Sequence, residues 1–391
     1  MISCKGNVFF TQRHSEYFLT LAYLDGREAM YLVTNRAILS KSGAVNNVFG
    51  DAPNTKGPNE LRVCVVSKTG SKWHAGVLED ELPKKKVEKL KKDFNLNINT
   101  EEAHYADLLV ACDIVDQARR EKRNILVFVH GFNNDVEDVV QRASQLENHY
   151  GVIVLPFTWP ANGGGIKGVI DYKDDKNDAK ASTVALDRLL HFIGKNLSLV
   201  TESNREKFWD EAKQRFPNDS EKRDALYSKL IEKNCPFTIN IMFHSMGNYL
   251  LKQMLKSTVS RGTNLIFDNI VLCAADTNNL DHALWVDRIR YNRRLYITIN
   301  EQDHALSASR MKSGQDQLAR LGHVLFGLNS EKAHYVNFTD SPWVGNSHAY
   351  FEGNARARNK TIHRFFNAAF NGDPADDVLK YRADMKCYEL K

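Results

Sequence analysis

A serine at the end of an apolar run is well placed to act as a nucleophile. The run Ile239 to Phe243 leads into His244-Ser245-Met246-Gly247-Asn248, after which apolar residues recur at helical spacing. This pattern predicts a strand, a sharp turn and a helix, which would present the Ser245 hydroxyl above the carboxyl end of a sheet. Phe243 stands where the Gly-x-Ser-x-Gly pattern has a glycine, and a helix N-cap is the structural alternative for Ser245.

A nucleophilic serine needs a histidine as base and a carboxylate to orient that histidine. In α/β hydrolases the chain order is serine, acid, histidine. Asp303 follows a predicted strand, and His348 lies in a loop between the last predicted strand and the last predicted helix. Asp276, which also follows a strand, is the alternative acid. For His348 the alternative is a solvated loop histidine without a catalytic role.

An acyl-transfer site also needs backbone donors for a developing oxyanion. The N–H of Met246, directly after the serine, is one candidate. The second is the N–H of Phe132, in a His-Gly loop that follows another predicted strand. The residues expected to line the substrate pocket around these donors are His130, Gly131, Asn133 and Trp159. A tryptophan buried in the core is the alternative for Trp159.

Short apolar runs alternate with helical patterns from residue 99 onwards. The run Ile125 to Val129 is typical of a strand buried on both faces, and hence of a parallel sheet covered by helices. Further strands are predicted at 151–157, 239–243, 270–274, 295–299 and 335–338, helices at 179–197, 280–291 and 354–370, and a Gly-rich loop at 161–178. The predicted fold class is α/β, with a mainly parallel central sheet flanked by helices.

The chain changes character near residue 99. Residues 1–98 form a β-rich N-terminal segment that we expect to pack on the sheet or extend it. Its predicted strands are 8–10, 17–23, 29–34, 61–67 and 73–78, with a loop at 40–60. Residues 99–372 are the predicted catalytic domain, interrupted by a charged helical insertion at about 200–235. Residues 373–391 are expected to be a C-terminal tail.

Composition limits the class of protein. The 391 residues are 42% hydrophobic and 26% charged, with a net charge of +5, which is an ordinary globular profile and does not indicate nucleic-acid binding. Six scattered cysteines without a C-x-x-C pair indicate free thiols, and we expect a cytoplasmic protein. No apolar run reaches the length of a transmembrane segment. Peripheral membrane contact and the oligomeric state stay open.

The assembled motifs resemble an uncharacterised family of bacterial α/β hydrolases, domain of unknown function 900, in the esterase/lipase superfamily. The blocks that carry the resemblance are YLVTNR at 31–36, FVHGFNN at 128–134, FTWP at 157–160, HSMGN at 244–248, the segment 300–306 and HAY at 348–350. The similarity extends over residues 29 to 370. It implies an α/β-hydrolase fold, with Ser245, Asp303 and His348 as a catalytic triad.

The expected activity is hydrolysis of a small-molecule or lipid ester, of the carboxylesterase or lipase type, without a metal or organic cofactor. Two alternatives stay open. The first is an inactive binding or scaffold protein with the same fold, suggested by Phe243 in the turn. The second is an acyltransferase that uses the same triad, since a fold alone does not fix a function.

Overall fold

The computed structural model describes residues 29–161, 170–217, 219–234, 237–256, 267–310 and 318–391. Two strands predicted at 8–10 and 17–23 lie outside these ranges. The strands are β1 (Ala29–Thr34), β2 (Arg36–Ile38), β3 (Ser42–Ala44), β4 (Phe49–Pro53), β5 (Arg62–Thr69), β6 (Lys72–Val77), β7 (Ile125–Val129), β8 (Ile153–Thr158), β9 (Ile239–His244), β10 (Asn269–Cys273), β11 (Arg294–Ile299), β12 (His334–Asn337), β13 (Leu379–Arg382) and β14 (Cys387–Leu390).

Helices fill most of the segments between the strands. They are α1 (Val45–Val48), α2 (Lys84–Phe94), α3 (Ala106–Glu121), α4 (Val136–Tyr150), α5 (Ile170–Ala181), α6 (Thr183–Arg215), α7 (Ser220–Asn234), α8 (Gly247–Lys256), α9 (Ala283–Val286), α10 (His304–Arg310), α11 (Gly353–Arg358) and α12 (Lys360–Phe370). In the described parts of the chain, no helix is both long enough and apolar enough to cross a membrane.

One large sheet joins the strand-rich N-terminal part to the rest of the chain. Within the described residues its order is β13-β14-β12-β11-β10-β9-β7-β8-β1-β5-β6-β3, and β2 pairs separately with β4. From β14 to β1 neighbouring strands are parallel, whereas β5, β6 and β3 on one side and β13 on the other are antiparallel. The predicted fold class is therefore confirmed, and the N-terminal strands extend the sheet.

The sheet is buried on both faces, and successive side chains of a strand enter opposite apolar layers. Along β9, Ile241 and Phe243 pack in the apolar layer that contains residues of α3 and α6. Met242 packs in the opposite layer, with residues of α4 and α12. Phe243 is almost fully buried, so its ring lies in the core beneath the turn and does not fill the space above Ser245.

Local signals explain where the helix after the His-Gly loop starts and stops. Asp135 caps α4, because its side chain accepts the N–H of Asp138 while the Asp138 side chain accepts the N–H of Asp135. The helix ends at Gly151, whose φ of 63° lies in the left-handed region that favours glycine. The capped start fixes the position of the loop that precedes α4.

Several sequence predictions near the sheet edges were wrong. The segment 40–60 contains β3, α1 and β4, because β3 pairs with β6 and β4 with β2. The supposed tail after residue 372 forms β13 and β14, and β14 pairs with β12. β3 and β14 depend on partners far away in the sequence, which a local pattern does not reveal, whereas β4 and β13 pair with neighbouring strands.

The helix boundaries also differ in three places. The loop predicted at 161–178 is helical from Ile170 onwards, while 162–169 lie outside the described residues. The helix predicted at 280–291 shrinks to α9, preceded by Asp281 with a φ of 58°. The last helix is divided at Asn359, whose side chain caps α12. The described part of the charged segment at about 200–235 lies in the end of α6 and in α7.

Candidate active site

The turn after β9 holds Ser245 in a backbone conformation that is uncommon for a residue with a side chain. Its φ is 54°, and such a conformation persists only where the surroundings enforce it. The Ser245 N–H donates to the Cys273 carbonyl at 3.0 Å. The side-chain Nδ2 of Asn248 lies 3.0 Å from the Phe243 carbonyl oxygen and 3.1 Å from the Ser245 carbonyl oxygen. These bonds fix the serine at the carboxyl edge of the sheet.

Two glycines allow the turn to contact the loop after β7. A Cβ on Gly247 would lie 2.8 Å from the carbonyl oxygens of Val129 and His130. A Cβ on Gly131 would lie 2.6 Å from the Ser245 Cβ and 3.1 Å from its Oγ. The backbone of Phe132, which follows Gly131, is therefore brought beside the serine, as is that of Met246 at the start of α8.

His348 and Asp303 come together at the same edge of the sheet. The His348 Nδ1 donates to the Asp303 Oδ2 at 2.7 Å, and the His348 side chain keeps 19% exposure while Asp303 is fully buried. The other Asp303 oxygen accepts the N–H groups of Ala305 and Leu306 at 2.9 and 3.1 Å. The carboxylate is thus fixed from one side and orients the imidazole from the other.

His244 connects the His348 loop to the serine turn. Its Nε2 donates to the His348 carbonyl at 3.1 Å, and the centroids of the two rings are 4.7 Å apart. Burial and, second, the neighbouring His348 hold the pKa of His244 well below its ordinary value. Because His244 immediately precedes Ser245, its neutral ring holds the His348 loop beside the serine turn.

The alternative acid, Asp276, has a different partner. Its Oδ1 lies 3.1 Å from the Arg320 Nε, with both side chains nearly fully buried, and it accepts the Ser309 hydroxyl at 2.8 Å. Asp276 thus forms a buried ion pair with Arg320, and its bond to Ser309 joins the segment after β10 to α10. The geometry favours Asp303 over Asp276 as the partner of His348.

Buried polar contacts hold the loop that carries Gly131 and Phe132. The His130 Nδ1 donates to the Gly131 carbonyl at 2.8 Å, and its Nε2 accepts the Trp159 N–H at 3.2 Å. The Thr158 hydroxyl lies 3.2 Å from the same Nε2 and accepts the Arg36 Nε at 3.0 Å. Only a neutral imidazole can accept at Nε2 while donating at Nδ1. The network therefore requires uncharged His130.

His130 should make the protein sensitive to acid. Burial, followed by the nearby Arg36, lowers its pKa to about 3. Below the ordinary histidine pKa near 6.5 the unfolded chain takes up a proton that the folded chain refuses, so stability falls as pH drops towards 3. We expect a loss of about 2 kcal/mol from this residue between pH 6.5 and 5. Urea unfolding of wild type and His130→Gln at both pH values measures it, and equal losses in the two proteins would contradict this expectation.

Two predicted pocket residues have other surroundings. The Trp159 ring is fully buried, stacks on His130 with centroids 5.4 Å apart, and donates from Nε1 to the His130 carbonyl. It braces the loop from the core and does not form a pocket wall. Asn133 is exposed and lines a surface depression with Arg36 and Asp135 that does not include Ser245. His130 is buried, as Trp159 is. Gly131 is the predicted pocket residue that lies against Ser245.

Two residues that build the site, Arg36 and Asn300, were in the blocks that carry the family resemblance but had no role assigned from the sequence. The Asn300 amide nitrogen donates to the carbonyls of Gly345 and Ser347 at 2.9 and 3.1 Å, which holds the loop before His348. Arg36 is almost fully buried and also donates to the Asn134 carbonyl at 2.8 Å. Their positions directly after predicted strands were the available signal, since the carboxyl ends of parallel strands converge on ligand sites.

A comparison with family models identifies the family of this chain. The model described as alpha/beta hydrolase of unknown function (DUF900) matches residues 112–201 and 218–337, more than half of the chain. The chain belongs to this family. No curated protein and no solved structure matches the sequence.

The DUF900 match is narrower than the similarity expected from the motifs. It includes β7, the serine turn and Asp303, but it ends before His348 and begins after β1. In the DUF900 chain, the described residues contain no group of three or more His, Cys, Asp or Glu side chains arranged to hold a metal ion. The described cysteines, Cys64, Cys112, Cys273 and Cys387, are buried free thiols.

Proposed function

We propose that this protein is a serine hydrolase that cleaves an ester of the carboxylesterase or lipase type. The observation that carries the proposal is the bond from the His348 Nδ1 to the buried Asp303, at the sheet edge where Ser245 stands at positive φ. A carboxylate that fixes the tautomer and orientation of a histidine at this edge supports a role for His348 as the base of Ser245. The family supplies the hydrolase fold, while the reaction and the residues are our proposal.

The proposed reaction has two halves. Ser245 Oγ attacks the ester carbonyl carbon while the Nε2 of His348 takes the hydroxyl proton, and the N–H groups of Phe132 and Met246 bind the oxyanion. Collapse of this intermediate breaks the bond to the alcohol, which leaves with the proton from His348. Water, deprotonated by His348, then releases the acid and restores Ser245.

Three features support Ser245 as the nucleophile over a helix cap. The Gly131 backbone lies so close to Ser245 that an added Cβ would be 2.6 Å from the Ser245 Cβ and 3.1 Å from its Oγ. The side chain precedes α8, whose N-terminus favours negative charge. Phe243, which suggested an inactive scaffold, has its side chain in the core. An acyltransferase would share the first half of the reaction and differ only in the acceptor of the acyl group.

A fluorophosphonate probe tests the nucleophile without knowledge of the substrate. Attack by Ser245 Oγ forms an O–P bond and expels fluoride, so wild type should be labelled at this residue. Ser245→Ala should show no labelling, whereas Ser71→Ala, at an exposed turn between β5 and β6, should be labelled like wild type. Equal labelling of wild type and Ser245→Ala would rule out the proposed nucleophile.

A further inference from the structure

An apolar cavity lies away from Ser245, between the sheet and the helices α3 and α6. Its volume is about 330 Å³. Among the side chains that line it are Val110, Ala111, Ile114, Val127, Leu189 and Phe192. Ser245, Asp303 and His348 do not line the cavity. The strand β7 contributes Val127, three residues before His130, so the cavity lies deeper along the sheet than the candidate active site.

The two arginines that line the cavity, Arg62 and Arg188, already have carboxylate partners. The Arg62 Nη1 lies 2.6 Å from the Glu60 Oε1 and 3.1 Å from the Asp80 Oδ2. The Arg188 Nη1 donates to the Asn59 carbonyl at 2.7 Å and lies 3.8 Å from the Glu60 Oε2. An anionic ligand would have to compete with these carboxylates for both arginines. The arrangement therefore disfavours a carboxylate or phosphate headgroup.

The partly exposed polar side chains at the mouth of the cavity, here called the rim, can accept a hydroxyl group. They are Asp80, Tyr105 and Arg188. The Asp80 side chain is 50% exposed and the Arg188 side chain 42%, and Tyr105 is 54% exposed. Carboxylate oxygens accept hydrogen bonds from an O–H donor without any need for a second charge. An uncharged polar end would thus find partners at the rim while an apolar body enters the cavity.

The size of the cavity sets the size of its occupant. An apolar cavity of about 150 Å³ stays free of water and binds benzene, so 330 Å³ accommodates a hydrocarbon of roughly ten to fourteen carbons. The apolar walls inside the cavity offer water few hydrogen-bond partners, so an apolar body is favoured there. We propose that this cavity binds an uncharged single-chain amphiphile such as a long-chain alcohol. The site is separate from the proposed catalytic residues and does not depend on their role.

Binding of an uncharged fluorescent hydrophobe tests the site on the full-length protein. N-phenylnaphthylamine should bind saturably to wild type. The concentration of dodecanol that displaces half of the probe should be at least about tenfold lower than that of ionised dodecanoate. Filling the cavity with Ala111→Phe plus Leu189→Trp should weaken probe binding at least about tenfold. Leu39→Phe, at an exposed residue outside the cavity, is the matched control and should bind like wild type.

Two further measurements keep the outcomes distinct. Fluorophosphonate labelling of the filled variant should equal that of wild type, and its urea midpoint shows whether the variant is folded. If the double variant does not fold, the single variant Ala111→Phe takes its place. Failure of wild type to bind the probe saturably, unchanged binding in a folded filled variant, or equal displacement by dodecanol and dodecanoate would each overturn the proposal.

Discussion

Asp303→Asn should lower the rates of fluorophosphonate labelling and of ester hydrolysis by about 10⁴-fold. The Asp303 Oδ1 accepts two backbone N–H groups, so the amide oxygen of the variant must take that place. The amide nitrogen, which is a donor, would then face the His348 Nδ1, the atom that carries the proton in the wild type. Reversal of this bond moves the imidazole proton to Nε2, which can no longer accept the proton of Ser245.

Asp276→Asn is the control that separates the two candidate acids. It leaves the buried Arg320 without its carboxylate partner, which should cost about 3–5 kcal/mol of stability. Activity per folded molecule should stay close to that of wild type. Urea unfolding and labelling rates, measured on both variants, distinguish the cases. Loss of labelling in folded Asp276→Asn together with normal labelling in Asp303→Asn would reverse the assignment.

Gly131→Ala should lower the labelling rate by at least about 100-fold, comparable to the loss of one oxyanion donor. The added Cβ would lie 2.6 Å from the Ser245 Cβ and 3.1 Å from the His244 carbonyl oxygen. Either the loop or the serine turn must shift, and a shift of the loop moves the Phe132 N–H away from the position of the oxyanion.

Gly76→Ala is the matched control for this substitution. A Cβ at Gly76 in β6 would meet no atom within 4 Å, so labelling and stability should stay near wild type. The labelling rate should be measured together with the urea midpoint, because unfolding would also abolish labelling. Normal labelling of folded Gly131→Ala would exclude close contact between this loop and the reacting serine.

Strands in the centre of the sheet were predictable because burial on both faces leaves a continuous apolar run. In β7, ILVFV is wholly apolar and buried, and β11 is buried from Leu295 to Ile299. β3 and β13 lack this signal because they lie at the sheet margins and are partly exposed. β3 pairs with the distant β6, whereas β13 pairs with β14, which follows it directly in the chain.

The candidate site shows the same division between local and distant information. The turn at Ser245 follows from adjacent residues, and chain order was enough to select Asp303 and His348 as candidates. The choice between Asp276 and Asp303 depends on Arg320, which lies far along the chain from Asp276 and forms its ion pair only in three dimensions. The position of Trp159 was similarly undecided, since an indole beside a site and an indole beneath it look alike in sequence.

The pairing of β14 with β12 has a consequence for synthesis on the ribosome. All residues proposed for catalysis precede Phe370, so a nascent chain contains them before β13 and β14 have been translated. Until then the hydrogen-bonding groups on one side of β12 lack the partner they have in the folded protein. An uncovered strand edge is a template for pairing with other chains, so a chain that has left the ribosome but has not yet paired β14 with β12 is open to aggregation.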